Sequence, residues 1–396
     1  MAKPLDGLRV LDFGKVLAGP LCTLYLGEMG AEIIKVEQVG TGDETRGWPP
    51  FHGPGLGTVF LTVNRNKRSI ALDLKTKEGR EIAHRLAVTA DVAIESFGTG
   101  VAERLGIDAD TLRGLNDRLV YCSISGFGRS GPMSSAPGYD VILQAFSGMM
   151  ALTGEDGGGY VRSPVSPIDQ MTGMHALTGI LACLVERDRT GKGGKVNVSL
   201  FDTAVGLLGY NIHSFWNKGV QPAKCGSSHE ALCPYQAFEA ADGPIMIGVA
   251  NDNLWRKFCV VVGLEHIADD PRFRTNADRV THRAETLELV QDALGRGSVA
   301  HWYAAVAAAG VPCSPINSLG QLLAHPHTKA SGIVLDYDHP TAGPLNGIAQ
   351  PVLFNDEPRK PGLPPPNLGQ HTTEILETLG YGSAEIARLQ TQNIIA

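Results

Sequence analysis

The sequence predicts an α/β fold: a mainly parallel sheet with helices on both faces, followed by a smaller second domain. Three observations carry this. Short apolar runs alternate with amphipathic ones over about the first 200 residues. A long helical pattern then starts near Gln170, and from about Gln221 the texture changes to clusters of Pro, Gly and Ser. Such βα alternation places helices on the faces of a parallel sheet, and sheets of that kind bind ligands beyond the carboxyl ends of their strands.

The elements follow in order. Leu8–Phe13 reads as a strand, and Gly19-Pro20 opens a helical stretch to about Glu28. Ala31–Glu37 (AEIIKVE) is a second strand and Ser69–Leu72 a third. Lys77–Ala90 is a helix with Ile82, Leu86 and Val88 on its apolar side. Asp91–Glu95 and Arg118–Ser125 are strands, the latter rich in β-branched and aromatic residues. In Gln170–Arg187, Met171, Met174, Leu177, Leu181 and Leu184 recur at helical spacing. Glycines at 191, 193 and 194 end that helix, and Lys195–Phe201 resumes as a strand. Beyond Gln221, apolar segments near Ile245–Val249 and a helix from about Asn253 suggest a smaller domain. A Pro-, Gly- and Asp-rich stretch, His325–Pro366, follows, and Thr372–Gln390 is helical again. The resulting division is 1–220, 221–325, and a linker and tail over 326–396.

Composition narrows the function classes. Lys and Arg total 34 against 41 Asp and Glu, a formal charge of −7, which argues against an electrostatic nucleic-acid binder. Seven cysteines without C-x-x-C spacing support neither a disulfide framework nor a zinc ribbon, so a reducing, cytoplasmic setting is expected. Asp6, Arg9 and Asp12 stand where a signal peptide would need an apolar run. The longest apolar stretch, near Ala176–Val185, is too short to cross a bilayer, so no membrane partner is expected. Glycine, 48 of 396 residues, exceeds its usual share of about 7%. One reading of that excess is backbone approach to a ligand at Gly126–Gly138 and Gly154–Gly159.

Each motif has a plain reading beside a functional one. Gly126–Gly131 matches G-x-G-x-x-G after a strand, but Pro132 to Gly138 continue it as a loop rather than a pyrophosphate-binding helix. Asp156 to Gly159 form a flexible turn. His325, His327, Asp336, Asp338 and His339 lack metal-ligand spacing and read as loop polarity, so no metal is expected. Lys35, Arg46, Arg65, Lys67, Arg68 and Lys75 are either solvated faces or an anion site. Asp169 opens the long helix. There an Asp is ordinarily a cap, and near a ligand it can also attack a carbonyl; composition does not choose.

Several strings together resemble the class III CoA-transferases, the group with formyl-CoA, carnitine and dicarboxylate CoA-transferases. They include PLDGLRVLDFGKVLAGP, GAEIIKVE, NRNKRSIALDLKT, ADVAIESFGTGVAERLGI, YCSISGFGRSGP, IDQMTGMHALTGILACLVERDRTGKGGKVNVSLFD and LGQHTTEIL. The resemblance implies a Rossmann-like large domain, a smaller α+β domain, and two chains interlocked as a homodimer. It implies Asp169 as nucleophile, with CoA as a substrate and no prosthetic group. CoA contacts are implied at Val16, Lys35, Gln38, Leu72, Lys75, Ser96, Phe97, Val101 and Arg104. Gln38 and Gly98 stand where relatives carry arginine. Arg46 and Tyr139 are implied to face the acyl group, Arg46 by pairing with the distal carboxylate of a succinyl-type donor. No four-glycine run follows Gln221, which turns the reading away from formyl or oxalate specificity. The alternatives are an α-methylacyl-CoA racemase, disfavoured because Tyr139 replaces the acid/base histidine, a CoA-binding protein without turnover, and a dinucleotide oxidoreductase.

Overall fold

The computed structural model describes residues 3–53 and 55–396 and divides into two compact units. One comprises Met1–Met149, Ser163–His213 and His327–Ala396; the other comprises Met150–Arg162 and Ser214–Pro326. Residues 150–162, read from sequence as part of the first domain, group with the second unit. The Lys224 ammonium donates to the carbonyls of Gly158 and Gly159, and Gly226 N–H donates to Gly154 O, which ties that segment to the start of the second unit.

The first unit is built on strands β1 (Arg9–Phe13), β2 (Glu32–Glu37), β3 (Lys67–Ala71), β4 (Val92–Glu95), β5 (Val120–Ser125) and β6 (Lys195–Ser199). All pair in parallel, in the order β3-β2-β1-β4-β5-β6. The order reverses between β1 and β4, and the crevice there is where a doubly wound sheet takes its ligand. Strands covered on both faces read as near-continuous apolar runs, which is why they were legible. Leu11, Phe13, Ile34, Val36 and Ile70 face one core with Ile82 and Leu86 of the helix Lys77–Val88. Val10, Ile33, Val92, Ile94 and Ile124 face the other. Each such side chain contributes about 1.5–3 kcal/mol when fully buried.

Helix α1 (Ala18–Glu28), α2 (Asp140–Phe146) and α3 (Pro167–Thr190) serve the second face. Ala176, Leu177, Ile180 and Leu184 of α3 pack with Ala18, Cys22 and Leu26 of α1. Gly173 permits this contact, since a Cβ there would stand 2.7 Å from Ala18 O. By length and composition α3, with 24 residues, is long and apolar enough to cross a membrane, a property the shorter apolar run did not reveal. The expected strand Lys195–Phe201 ends at Ser199, whose hydroxyl caps a further helix by accepting from Asp202 N–H.

The second unit carries an antiparallel sheet, β7 (Tyr235–Ala240), β8 (Gly243–Gly248) and β9 (Cys313–Pro315). Helices α4 (Asp252–Val262) and α5 (Arg283–Leu294) pack Trp255, Phe258, Val290 and Leu294 against Ile245 and Ile247.

The chain then returns to the first unit. The stretch read as Pro- and Gly-rich connection contains a hairpin, β10 (Val334–His339) with β11 (Gly343–Ile348). Leu335, Tyr337 and His339 are buried while Asp336 and Asp338 point out, so the latter three lie on a strand rather than in a loop. No group of three or more metal-ligating side chains occurs among the described residues. The tail helix expected over Thr372–Gln390 is two helices, α6 (Thr372–Thr378) and α7 (Ser383–Thr391), broken at Gly380 with φ +83°.

Candidate active site

A cavity of about 360 Å³ opens in the first unit beyond the carboxyl ends of β1, β4 and β5. Its wall is formed by the loops Lys15–Ala18, Ser96–Thr99 and Ile124–Gly126, the segment Ser134–Tyr139, and Asp169. Its size falls within the usual range for small-molecule sites, about 300–1,000 Å³. Gly126 and Gly138 let two of these segments touch: a Cβ on Gly126 would meet Gly138 Cα at 2.9 Å. Gly126 and Gly138 thus serve close approach between two segments of the chain.

Asp169 is the third residue of α3, following Pro167 and Ile168. It is not the cap that its position suggested. Ser166 precedes the helix in the left-handed region at φ 48° and makes no side-chain cap bond. The free N–H groups of Ile168 and Asp169 donate instead to Asp140 Oδ2, at 2.8 and 3.1 Å. Burial pushes the Asp169 carboxyl up, and the neighbouring Asp140 charge adds to it, to about 7. Near neutral pH this group passes between its acid and carboxylate forms, a tuning found at reactive positions.

The β4 loop is fixed by charge. Buried Glu95 accepts from Phe97 N–H at 2.7 Å, and from Ser123 Oγ and Arg129 Nη2 at 2.5 and 2.6 Å. Arg129 also reaches Phe97 O at 3.0 Å, so its donors are occupied. Burial holds the Glu95 carboxyl above the usual range despite Arg129. Lys15 differs: its Nζ lies 5.5 Å from the centre of the Phe97 ring, and it forms no ion pair among the described residues. Beside it, Val16 sits at φ +67°. That conformation is strained for a β-branched residue and is tolerated where the surroundings impose it.

Comparison with known proteins gives the family. The sequence pattern of CoA-transferase family III matches residues 5–372. The chain belongs to CoA-transferase family III. An acyl-CoA transferase of Fusarium pseudograminearum is 40% identical, over 99% of this chain and 88% of its own length. The human succinyl-CoA:glutarate CoA-transferase is 35% identical, over 99% and 90%. A crystal structure of a CAIB/BAIF family protein from Brucella suis superposes with a TM-score of 0.84 at 36% identity, covering 96% of this chain and all of that one.

In this CoA-transferase, Val16, Ser96, Phe97, Tyr139 and Asp169 share the cavity wall. Gln38, Leu72, Lys75, Val101 and Arg104 do not line it. Leu72 is buried in the core behind β3, while Gln38, Lys75 and Arg104 are exposed. Two expected contacts are taken up inside the protein. The Lys35 ammonium is buried on Gly14 O and Asp43 Oδ2, at 2.9 and 3.1 Å. Arg46 is buried and forks onto Glu37 at 2.8 and 2.7 Å, with Pro366 O at 3.1 Å and the Phe60 ring at 3.7 Å. A buried charge needs such partners, and both cations brace the strand ends rather than face the cavity. Sequence reasoning missed Lys15, Arg129 and Asp140. Lys15 follows the first strand at the expected ligand crevice, and that position alone could have marked it.

Proposed function

We propose that this CoA-transferase moves CoA from a dicarboxylyl-CoA such as succinyl-CoA to a free carboxylic acid, with Asp169 as nucleophile. The observation that carries the reading is Asp169 itself, on the cavity wall at the sheet's ligand crevice. The name of the human relative supports the donor class.

The Asp169 carboxylate attacks the thioester carbonyl, the C–S bond breaks, and CoA thiolate leaves a mixed anhydride. The thiolate then attacks the Asp169 carbonyl carbon, releasing the donor acid and leaving an enzyme–CoA thioester. An acceptor carboxylate attacks that thioester and expels the thiolate, which takes the acceptor acyl group and frees Asp169. CoA lies along the cavity with Phe97 and Ser96 beside it and Lys15 as its cation. Tyr139, 48% exposed, borders the acyl end. Two copies associate as a homodimer that covers Val141, Ile142 and Phe146, which are exposed on α2.

The test is an exchange assay. Succinyl-CoA is incubated with a panel of free carboxylates, CoA transfer is followed by mass spectrometry, and hydroxylamine traps the covalent adduct. Exchange and an adduct on Asp169 are expected, both lost in Asp169→Ala. Undiminished exchange in that variant overturns the nucleophile. Deuterium entering the α-carbon without CoA exchange identifies a racemase instead.

A further inference from the structure

We infer that Asp140 is the positioning residue of the nucleophile: it holds the first turn of α3 in place and keeps a second negative charge beside Asp169. This rests on Asp169 being the attacking carboxylate.

A helix start leaves four N–H groups without intrahelical acceptors. In α3 the usual remedy fails, because Ser166 gives no cap bond and Pro167 has no N–H. Asp140 supplies the acceptor from another helix, through Oδ2 to the N–H groups of Ile168 and Asp169. Asp140 as a whole is 5% exposed, so these bonds form largely away from water. The other oxygen accepts from Gln144 Nε2, and Gln144 Oε1 accepts from Ser163 N–H at 2.9 Å. One connected set of bonds thus runs from the segment preceding α3, through α2, to the backbone of the nucleophile itself.

The same placement sets two carboxylates against each other. Lys15, Glu44, Arg129 and Tyr139 also line the cavity, and His175 and Asp202 lie on α3 and the helix after β6. Of all these groups, Asp140 alone acts on the Asp169 carboxyl appreciably, adding to the effect of burial. When Asp169 attacks and becomes an anhydride or thioester, its charge leaves with the thiolate or the departing acid. Like-charge repulsion with Asp140 is relieved in that step, so Asp140 favours the covalent intermediate without touching the substrate.

The experiment compares full-length wild type, Asp140→Asn and Asp140→Ala, with succinyl-CoA as donor. It measures the pH profile of kcat/KM, the kcat and KM split, hydroxylamine trapping at Asp169, and thermal melting. In Asp140→Asn, which keeps an acceptor and loses the charge, the acid limb should move down by about one pH unit. Its KM should stay within about twofold. Asp140→Ala should lose about 100-fold in kcat, as misplaced reactive groups do, with the same limb shift. Should Asp140→Ala fail to fold, Asp140→Asn decides. An unmoved acid limb in folded Asp140→Asn overturns the inference, as does a kcat within twofold of wild type in Asp140→Ala. A wild-type enzyme with no adduct on Asp169 overturns the nucleophile reading instead.

Discussion

Asp169→Asn changes one ionisable group and almost nothing of its shape, which makes it a direct probe of the site's electrostatics. The carboxyl is pushed from 3.8 to about 7, first by burial and then by Asp140. A carboxyl held above its unfolded value binds its proton more tightly in the folded chain. Its effect on stability therefore worsens as pH rises from about 4 through about 7 and is constant above that. At about 1.36 kcal/mol per pH unit, the ceiling is about 4 kcal/mol. Asp169 opens onto a solvent-accessible cavity, and screening lowers the figure to about 1–2 kcal/mol. The asparagine variant carries no such burden. It should melt about 1–2 °C above wild type at pH 8, and the gap should shrink toward pH 4.5. Calorimetry of both proteins from pH 4.5 to 8.5 reads this directly. A gap independent of pH, or a less stable variant at pH 8, refutes the reasoning.

Lys15→Ala should raise KM for succinyl-CoA about tenfold, the worth of one charge-assisted hydrogen bond, with kcat unchanged. An equal rise with succinyl-pantetheine, which lacks CoA's phosphates, would contradict a phosphate contact. Arg46→Ala should lower stability by about 3–5 kcal/mol in urea titrations, because it strands buried Glu37. The ratio of kcat/KM for glutarate over acetate should stay put, and a selective loss of glutarate would restore a substrate role for Arg46. Arg129→Ala leaves Glu95 buried without its counter-ion, so its denaturation midpoint should fall more at pH 8 than at pH 5, where Glu95 can take a proton. A pH-independent loss would show that the ion pair is not the cause.

Five of the parallel strands were legible because they are largely buried on both faces with helices between them, and the edge strand β6, with Lys195 and Asn197 exposed, by its alternation. The hairpin β10–β11 was not, because outward Asp336 and Asp338 and the glycines around it imitate loop composition. Asp169 was legible as a helix-opening Asp, but its relation to Asp140 was hidden. That relation requires two helices to start side by side so that Asp140 meets Asp169, 29 residues on in sequence. Lys35 and Arg46 misled for a related reason. Sequence shows a cation, and only the fold shows that Asp43 and Glu37 already hold it.

The tail's return to the sheet bears on how the chain is made. The outer edge of β3 is closed by the C-terminal segment. Ser69 and Ala71 donate to His371 and Thr372 side chains, and Asp73 N–H donates to Ile394 O. These partners lie about 300 residues downstream, and at about 5–20 residues per second their synthesis takes roughly 15–60 s. Throughout that interval β3, at the rim of the sheet, has an open edge, ready to pair with any other extended chain. Arg68, pointing from that edge toward Glu32 and later Glu374, keeps a charge on it meanwhile. The sheet's outer edge is thus covered only once residues 371–394 have been made, and removing that segment should lower folding yield.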